Sequence, residues 1–156
     1  MTWQEVCEDK SLQNLPYKIE LDQWGRIVMS PANNRHARWQ FKIAHLIEIK
    51  LGSGEALVEC SVDTPMGTKV PNAAWASDAF LKKHGYDTPY PEAPEICVEV
   101  RSRSNTAAEI AEKIMLFLSK GAKEVWVCDE DGNISFHDHT GKLAKSKMLP
   151  RFPNKI

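Results

Sequence analysis

The chain has no run approaching the ~20 consecutive apolar residues that a bilayer-spanning helix needs, which argues against an integral helical membrane protein. Its first ten residues carry Glu5, Glu8 and Asp9 and lack the basic-then-apolar order of a secretion signal, so a cytoplasmic location is expected. Cysteine is sparse: Cys7, Cys60, Cys97 and Cys128 lie far apart, without the paired spacing of a zinc site. Cys97 and Cys128 fall in apolar, strand-like runs, where a free cysteine behaves as a small hydrophobe, and all four read as structural thiols. The histidines are equally scattered, and His137-Asp138-His139, beside Thr140-Gly141, reads as a solvated strand end. Positive charge is not in surplus either. Twenty Lys and Arg against 21 Asp and Glu give a net charge of −1, so any phosphate contact must be local. From Lys142 onward there are five basic residues and no acid; that run reads either as a solvated tail or as a set of phosphate contacts.

What is present is enough for one core. At 156 residues, with 42% hydrophobic and 26% charged residues, the chain reads as a single domain over 1–156, with about 1–15 as an N-terminal extension. Tyr17, Ile19 and Leu21 alternate with Lys18, Glu20 and Asp22 before Gln23-Trp24-Gly25 turns the chain into Arg26 to Met29, predicting a β-hairpin with one buried face. The segment Ser30 to Asn34 supplies a helix cap, after which Trp39, Ile43, Leu46 and Ile47 recur at helical spacing up to Leu51. Residues 55–62 and 73–77 read as two strands, and the breaker-rich stretch from His84 to Pro94 as a loop. Thr106 and Glu109 form a capping box for a helix whose apolar stripe is Ile110, Ile114, Phe117 and Leu118. The segment Glu124 to Cys128 reads as a strand, followed by a closing hairpin through Asn133 to Asp138. A strand, a helix and a strand in that order predict a right-handed parallel crossover, hence an α+β or α/β fold with a central mixed sheet.

One charge is out of place. Glu99 interrupts the apolar strand Ile96 to Val100, where a carboxylate is costly unless something compensates it. Alternation puts Glu99 on one face with Cys97 and Arg101, opposite Ile96, Val98 and Val100. Lys113 lies at the border of the next helix's apolar stripe, where it can either reach the sheet or extend along the apolar surface into water. Glu20 faces away from the apolar side of its hairpin, and His36 either meets a phosphate or satisfies the Pro31 to Asn34 loop. Asp78, six residues along from Asn72, would be roughly 20 Å away on a regular strand.

Read in order, Tyr17-Lys18-Ile19-Glu20-Leu21 with Gly25, Met29-Ser30-Pro31, His36, Val70-Pro71-Asn72, Pro94 through Glu99-Val100-Arg101-Ser102, Lys113, and Gly121 through Asp129 resemble the Uma family of restriction-endonuclease-like proteins. That family is a branch of the PD-(D/E)XK nuclease superfamily. The resemblance implies a restriction-endonuclease-like sheet with N- and C-terminal hairpins, and a Mg²⁺- or Mn²⁺-dependent site hydrolysing DNA phosphodiester bonds. It implies Glu99 and the residue at position 72 as metal ligands, Glu20 as a supporting ligand, and Lys113 as the catalytic lysine. Arg101 stands where the superfamily's strand lysine lies; its guanidinium cannot act as a base but can bind phosphate, as can His36. The chain departs from the family at Asn72, where an amide replaces the aspartate and weakens the expected metal affinity. A nuclease of this kind that cuts both strands needs two sites, so a homodimer is expected. The alternatives are a catalytically lapsed protein of the same fold that binds nucleic acid or a protein partner, and an unrelated domain in which Glu99 and Arg101 form a structural ion pair.

Overall fold

The computed structural model describes residues 1–156. A short helix α1 (Trp3–Glu8), opened by a Thr2 and Glu5 capping box, and a 3₁₀ turn (Lys10–Leu12) lead into the hairpin β1 (Tyr17–Leu21) and β2 (Ile27–Pro31). The hairpin turn is closed by Asp22, whose Oδ1 accepts from the Trp24 and Arg26 amides at 2.9 Å each. Helix α2 (Asn34–Leu51) starts where Asn33 accepts the His36 amide and stops at Gly52, whose φ of 68° is the left-handed conformation that ends helices.

Six strands form the main sheet. They are β3 (Glu55–Val58), β6 (Ala73–Ala76), β7 (Ile96–Val100), β8 (Glu124–Cys128), β9 (Ile134–Asp138) and β10 (Gly141–Leu143), in the spatial order β10-β9-β8-β7-β6-β3. Only β7 and β8 run parallel, joined through α4 (Ala107–Ser119) as the strand-helix-strand order predicts; every other neighbouring pair is antiparallel. The sheet is therefore mixed. The Thr106 and Glu109 capping box at the start of α4 is formed in both directions.

Period-two alternation sorts the central strand between two cores. Ile96, Val98 and Val100 face Ile43 and Ile47 of α2, together with Trp126, Phe136, Leu149 and Phe152. Cys97 and Val125 face Phe117, Leu118 and Ala122 around α4. Helices thus cover both faces, and Glu99 lies on the α4 side at the exit end of β7. All four cysteines are free; Cys97 and Cys128 are buried as expected.

Three elements escape the local sequence pattern. The run 55–62 is not one strand, because the chain leaves β3 at Val58 and enters a separate hairpin, β4 (Val62–Thr64) with β5 (Gly67–Lys69). Gly67, at φ 88°, brings that turn against the Leu21 and Asp22 main chain, where no Cβ fits. A helix, α3 (Asp78–His84), capped by Ser77, fills the stretch between the expected strand 73–77 and the loop that begins at His84, where the sequence pattern predicts no element. The basic C-terminal segment is not a solvated tail: Leu149 and Phe152 are core residues. It is held by Glu124, 1% exposed, whose carboxylate accepts from Trp126 Nε1, Ser146 Oγ and the Lys147 and Met148 amides at 2.6 to 2.9 Å.

Candidate functional site

The first hairpin buries only part of its expected apolar face, Leu21 at 3% exposure, and buries a residue of its polar face beside it. Tyr17 is 43% exposed, whereas Glu20 is 6% exposed, because the polar face of β1 turns inward onto the end of β7. Two glutamates from distant parts of the chain consequently meet a single ammonium. Lys113 Nζ donates to Glu20 Oε1 at 2.9 Å and to Glu99 Oε2 at 3.3 Å. Lys113 does not extend into water; α4 lays it across the sheet.

Burial opposes charge on Lys113, yet the Glu99 and Glu20 carboxylates together outweigh it and hold the ammonium above its ordinary lysine value. Burial likewise works against the Glu20 carboxylate. The charges of Lys113 and Lys18, with the Val70 amide at 2.8 Å, reverse that and hold it below the usual range. An ammonium so stabilised cannot serve as a base near neutral pH. It can donate hydrogen bonds and supply positive charge.

A second lysine was not singled out by the sequence. Lys18 Nζ donates to Val70 O at 3.1 Å and lies 3.9 Å from Glu20 Oε1 and 3.8 Å from Glu99 Oε2. The available signal was the period of two, which puts residues 18 and 20 on one face of β1. What the sequence could not show is that this face points inward.

Asn72 is 2% exposed and, one step beyond the Ala73 and Val98 pair of the β6–β7 ladder, stands opposite Glu99. Its amide is held at both ends, with one lone pair of the oxygen left over. Oδ1 accepts the Val100 amide at 2.8 Å, and Nδ2 donates to Gln40 Oε1 at 3.3 Å; Gln40 in turn donates to Glu59 at 3.5 Å. Only an amide can fill both roles, so the substitution at position 72 is built into the structure that ties α2 to β7.

Lys18, Asn72, Glu99 and Lys113, but not Glu20, line one cleft of about 760 Å³ that also receives His36, Arg101, Arg103 and Arg35. The His36 amide satisfies Asn33 in the loop, as one reading of that histidine expects, but its ring does not; Nε2 is buried without a partner. Burial, and next the Lys18 charge, push the imidazole below its ordinary value, so it is neutral at pH 7. Arg101 is free of Glu99: its guanidinium reaches Asn105 O at 3.5 Å, and the carboxylate is paired with lysines instead. A structural Glu99–Arg101 pair is thereby excluded.

The donor set can be tested against a hard cation. No three His, Cys, Asp or Glu side chains gather in a metal-ligating group. The oxygens of Glu20, Glu99 and Asn72 are nonetheless the donor type that Mg²⁺ and Mn²⁺ take, and Glu99 Oε1 is buried with no hydrogen-bond partner. A buried carboxylate oxygen without a protein partner can take a water or a cation. The residues fit such an ion in type, with few ligands and little net negative charge.

The site thus stands on a mixed sheet with a parallel central pair, covered by helices on both faces, where Glu99 at the end of β7 meets Glu20 from the first hairpin and Lys113 from α4. A family model described as "Putative restriction endonuclease" (Uma2) matches residues 4–147, and the chain belongs to that family. The fold is similar to a crystal structure from Anabaena variabilis ATCC 29413, described as a putative nuclease belonging to DUF820. The TM-score is 0.67 at 15% identity, covering 98% of this chain and 82% of that one. No curated protein matches the chain. No helix is long and apolar enough to cross a membrane.

Proposed function

We propose that the protein is a cation-dependent endonuclease that hydrolyses DNA phosphodiester bonds in the cleft around Glu99. The observation that carries this reading is the convergence of Glu20 and Glu99 on Lys113, with Glu99 Oε1 buried and unpartnered in the same cleft. Glu99, Glu20 and Asn72 would hold Mg²⁺ or Mn²⁺. When bound, such an ion acidifies a coordinated water and offsets charge on the phosphate.

Each other role falls to the chain's own residues. Glu99 Oε1 can accept a hydrogen bond from the attacking water and orient it. Lys113, permanently protonated, has one donor beyond those used by Glu20 and Glu99, and that donor can meet a phosphate oxygen as charge builds there. Arg101 and neutral His36 would hold the flanking phosphate, the guanidinium by paired N–H donors. The water oxygen bonds to phosphorus as the bond to the sugar oxygen breaks, and the proton lost by water ends on that departing sugar oxygen, which leaves as a hydroxyl. Cutting both strands would require two copies of the site, hence a homodimer, and the cytoplasm is the compartment this reading implies.

One specific observation favours a second reading. Asn72 is locked in an amide chain to Gln40, so a catalytically lapsed protein that keeps the cleft for nucleic acid or a protein partner fits it equally well. Plasmid nicking with Mg²⁺ or Mn²⁺ separates the two. The endonuclease reading expects cleavage by the wild type that is lost in Glu99→Ala. Nicking by Asn72→Asp alone identifies a lapsed site, and absence of nicking and of DNA-dependent binding in both proteins removes the nuclease reading.

A further inference from the structure

Lys18 is the least expected member of the site. Its side chain is 14% exposed, and three oxygens from three segments surround its Nζ: Val70 O at 3.1 Å, Glu99 Oε2 at 3.8 Å and Glu20 Oε1 at 3.9 Å. A shell of one carbonyl and two carboxylate oxygens is the donor set of a hard cation, spread to the radius of an ammonium. The charge account points the same way. Two carboxylates face two ammoniums, and Asn72, the position opposite Glu99, adds none.

The two lysines are not equivalent. Lys113 makes direct hydrogen bonds to both carboxylates, whereas Lys18 lies beyond hydrogen-bond distance of each and is held directly only by the Val70 carbonyl. Lys18 also comes from a two-stranded hairpin outside the main sheet, while Lys113 stands on a helix packed against the core. A divalent ion brought to Glu99 and Glu20 would meet the Lys18 charge at close range in a poorly screened site.

We propose that the Lys18 ammonium is an internal counterion occupying the place a divalent cation would take between Val70 O, Glu20 and Glu99, so that cation binding requires Lys18 to leave. The inference rests on the cation reading of this site given above. Lys18 is in this view a positioning residue: it keeps the carboxylates paired while no cation is bound and sets the concentration at which one enters. Asn72 and Lys18 then act in the same direction, one removing a negative charge and the other adding a positive one.

Calorimetric titration of Mn²⁺ into the full chain at neutral pH tests this. Lys18→Met is expected to bind Mn²⁺ roughly tenfold or more tightly than the wild type, since site charge sets the affinity of such centres. Lys18→Arg, which keeps the charge, should show no gain, and Glu99→Gln added to Lys18→Met should abolish it. A folded Lys18→Met that binds no more tightly than the wild type overturns the proposal, and so does absence of binding by both. Should Lys18→Met fail to fold, the wild type decides. With ¹⁵Nζ-labelled lysine, rising Mg²⁺ is expected to move the Lys18 resonance toward that of a solvated lysine, while Lys113 keeps its contacts. A Lys18 resonance that does not move overturns the proposal. The endonuclease reading fails separately, on nicking: Mn²⁺ binding tightened by Lys18→Met without Glu99-dependent cleavage sinks that reading and leaves the counterion in place. Glu99-dependent cleavage with unchanged Mn²⁺ affinity does the reverse.

Discussion

Lys113 Nζ and Glu20 Oε1 meet at 2.9 Å across 93 residues of chain, pinning the first hairpin to the helix that crosses the sheet. The same ammonium holds Glu99 at 3.3 Å, so one side chain compensates two carboxylates that are otherwise nearly dry.

Removing that charge leaves Glu20 and Glu99 with Lys18 alone. Breaking a buried ion pair from one side costs about 3–5 kcal/mol, because the remaining charge is stranded. Lys113→Met should lower stability by that order in urea unfolding near neutral pH, and adding Glu20→Gln should recover a large part. A Lys113→Met protein as stable as the wild type would show that Lys18 suffices for both carboxylates.

At Asn72 the expectation concerns hydrogen bonds first. Asn72→Ala strands the Val100 amide inside the protein and should cost about 1–3 kcal/mol. Asn72→Asp keeps that acceptor but sets a carboxylate against Gln40 Oε1, so it too should melt below the wild type without added cation. Mn²⁺ should raise its melting temperature by more than it raises that of the wild type, since a third carboxylate strengthens the site. Equal shifts in the two proteins would mean that position 72 does not face the cation.

Glu124 tests the C-terminal segment independently of the cleft. Its carboxylate accepts four hydrogen bonds, two of them from the Lys147 and Met148 amides. Glu124→Ala leaves these buried donors unpaired and should cost about 3 kcal/mol or more. Hydrogen exchange should accelerate at residues 147 and 148 in particular; uniform protection across the segment would assign its anchoring to Leu149 and Phe152 alone.

The His36 imidazole gives the pH dependence. Burial and the Lys18 charge both disfavour its protonated form, so its NMR titration midpoint should fall below the ordinary value near 6.5. With the folded value below the unfolded one, the contribution of His36 to stability is present above the unfolded value and is lost as pH falls through the folded midpoint. Lys18→Met should raise the midpoint and Glu99→Gln lower it further. A midpoint insensitive to both would separate His36 electrostatically from the site.

Much of this architecture could be read along the chain. The β1–β2 hairpin, α2 up to Gly52, the capped α4 and the parallel β7–β8 crossover all follow from alternation, helical spacing and caps, which are properties of neighbouring residues. Glu99 was conspicuous for the same reason, as a charge in an apolar strand. The β4–β5 hairpin and α3 were not legible, since each is short and depends on what it packs against rather than on a period of its own. Lys18 was missed because its hairpin leaves Tyr17, Val28 and Met29 exposed while burying Glu20, against the polarity of the alternation.

The sequence by itself determined the family, the sheet and the presence of a carboxylate needing compensation, because periodicity and ordered motifs are local and survive in one dimension. The tertiary structure alone decided what compensates it. Glu20, Lys18 and Lys113 reach Glu99 from a separate hairpin and a crossing helix, and Asn72 proved to be held by an amide chain across α2 and β7. Electrostatic pairing acts through a few ångströms of space, and chain separation carries no record of it.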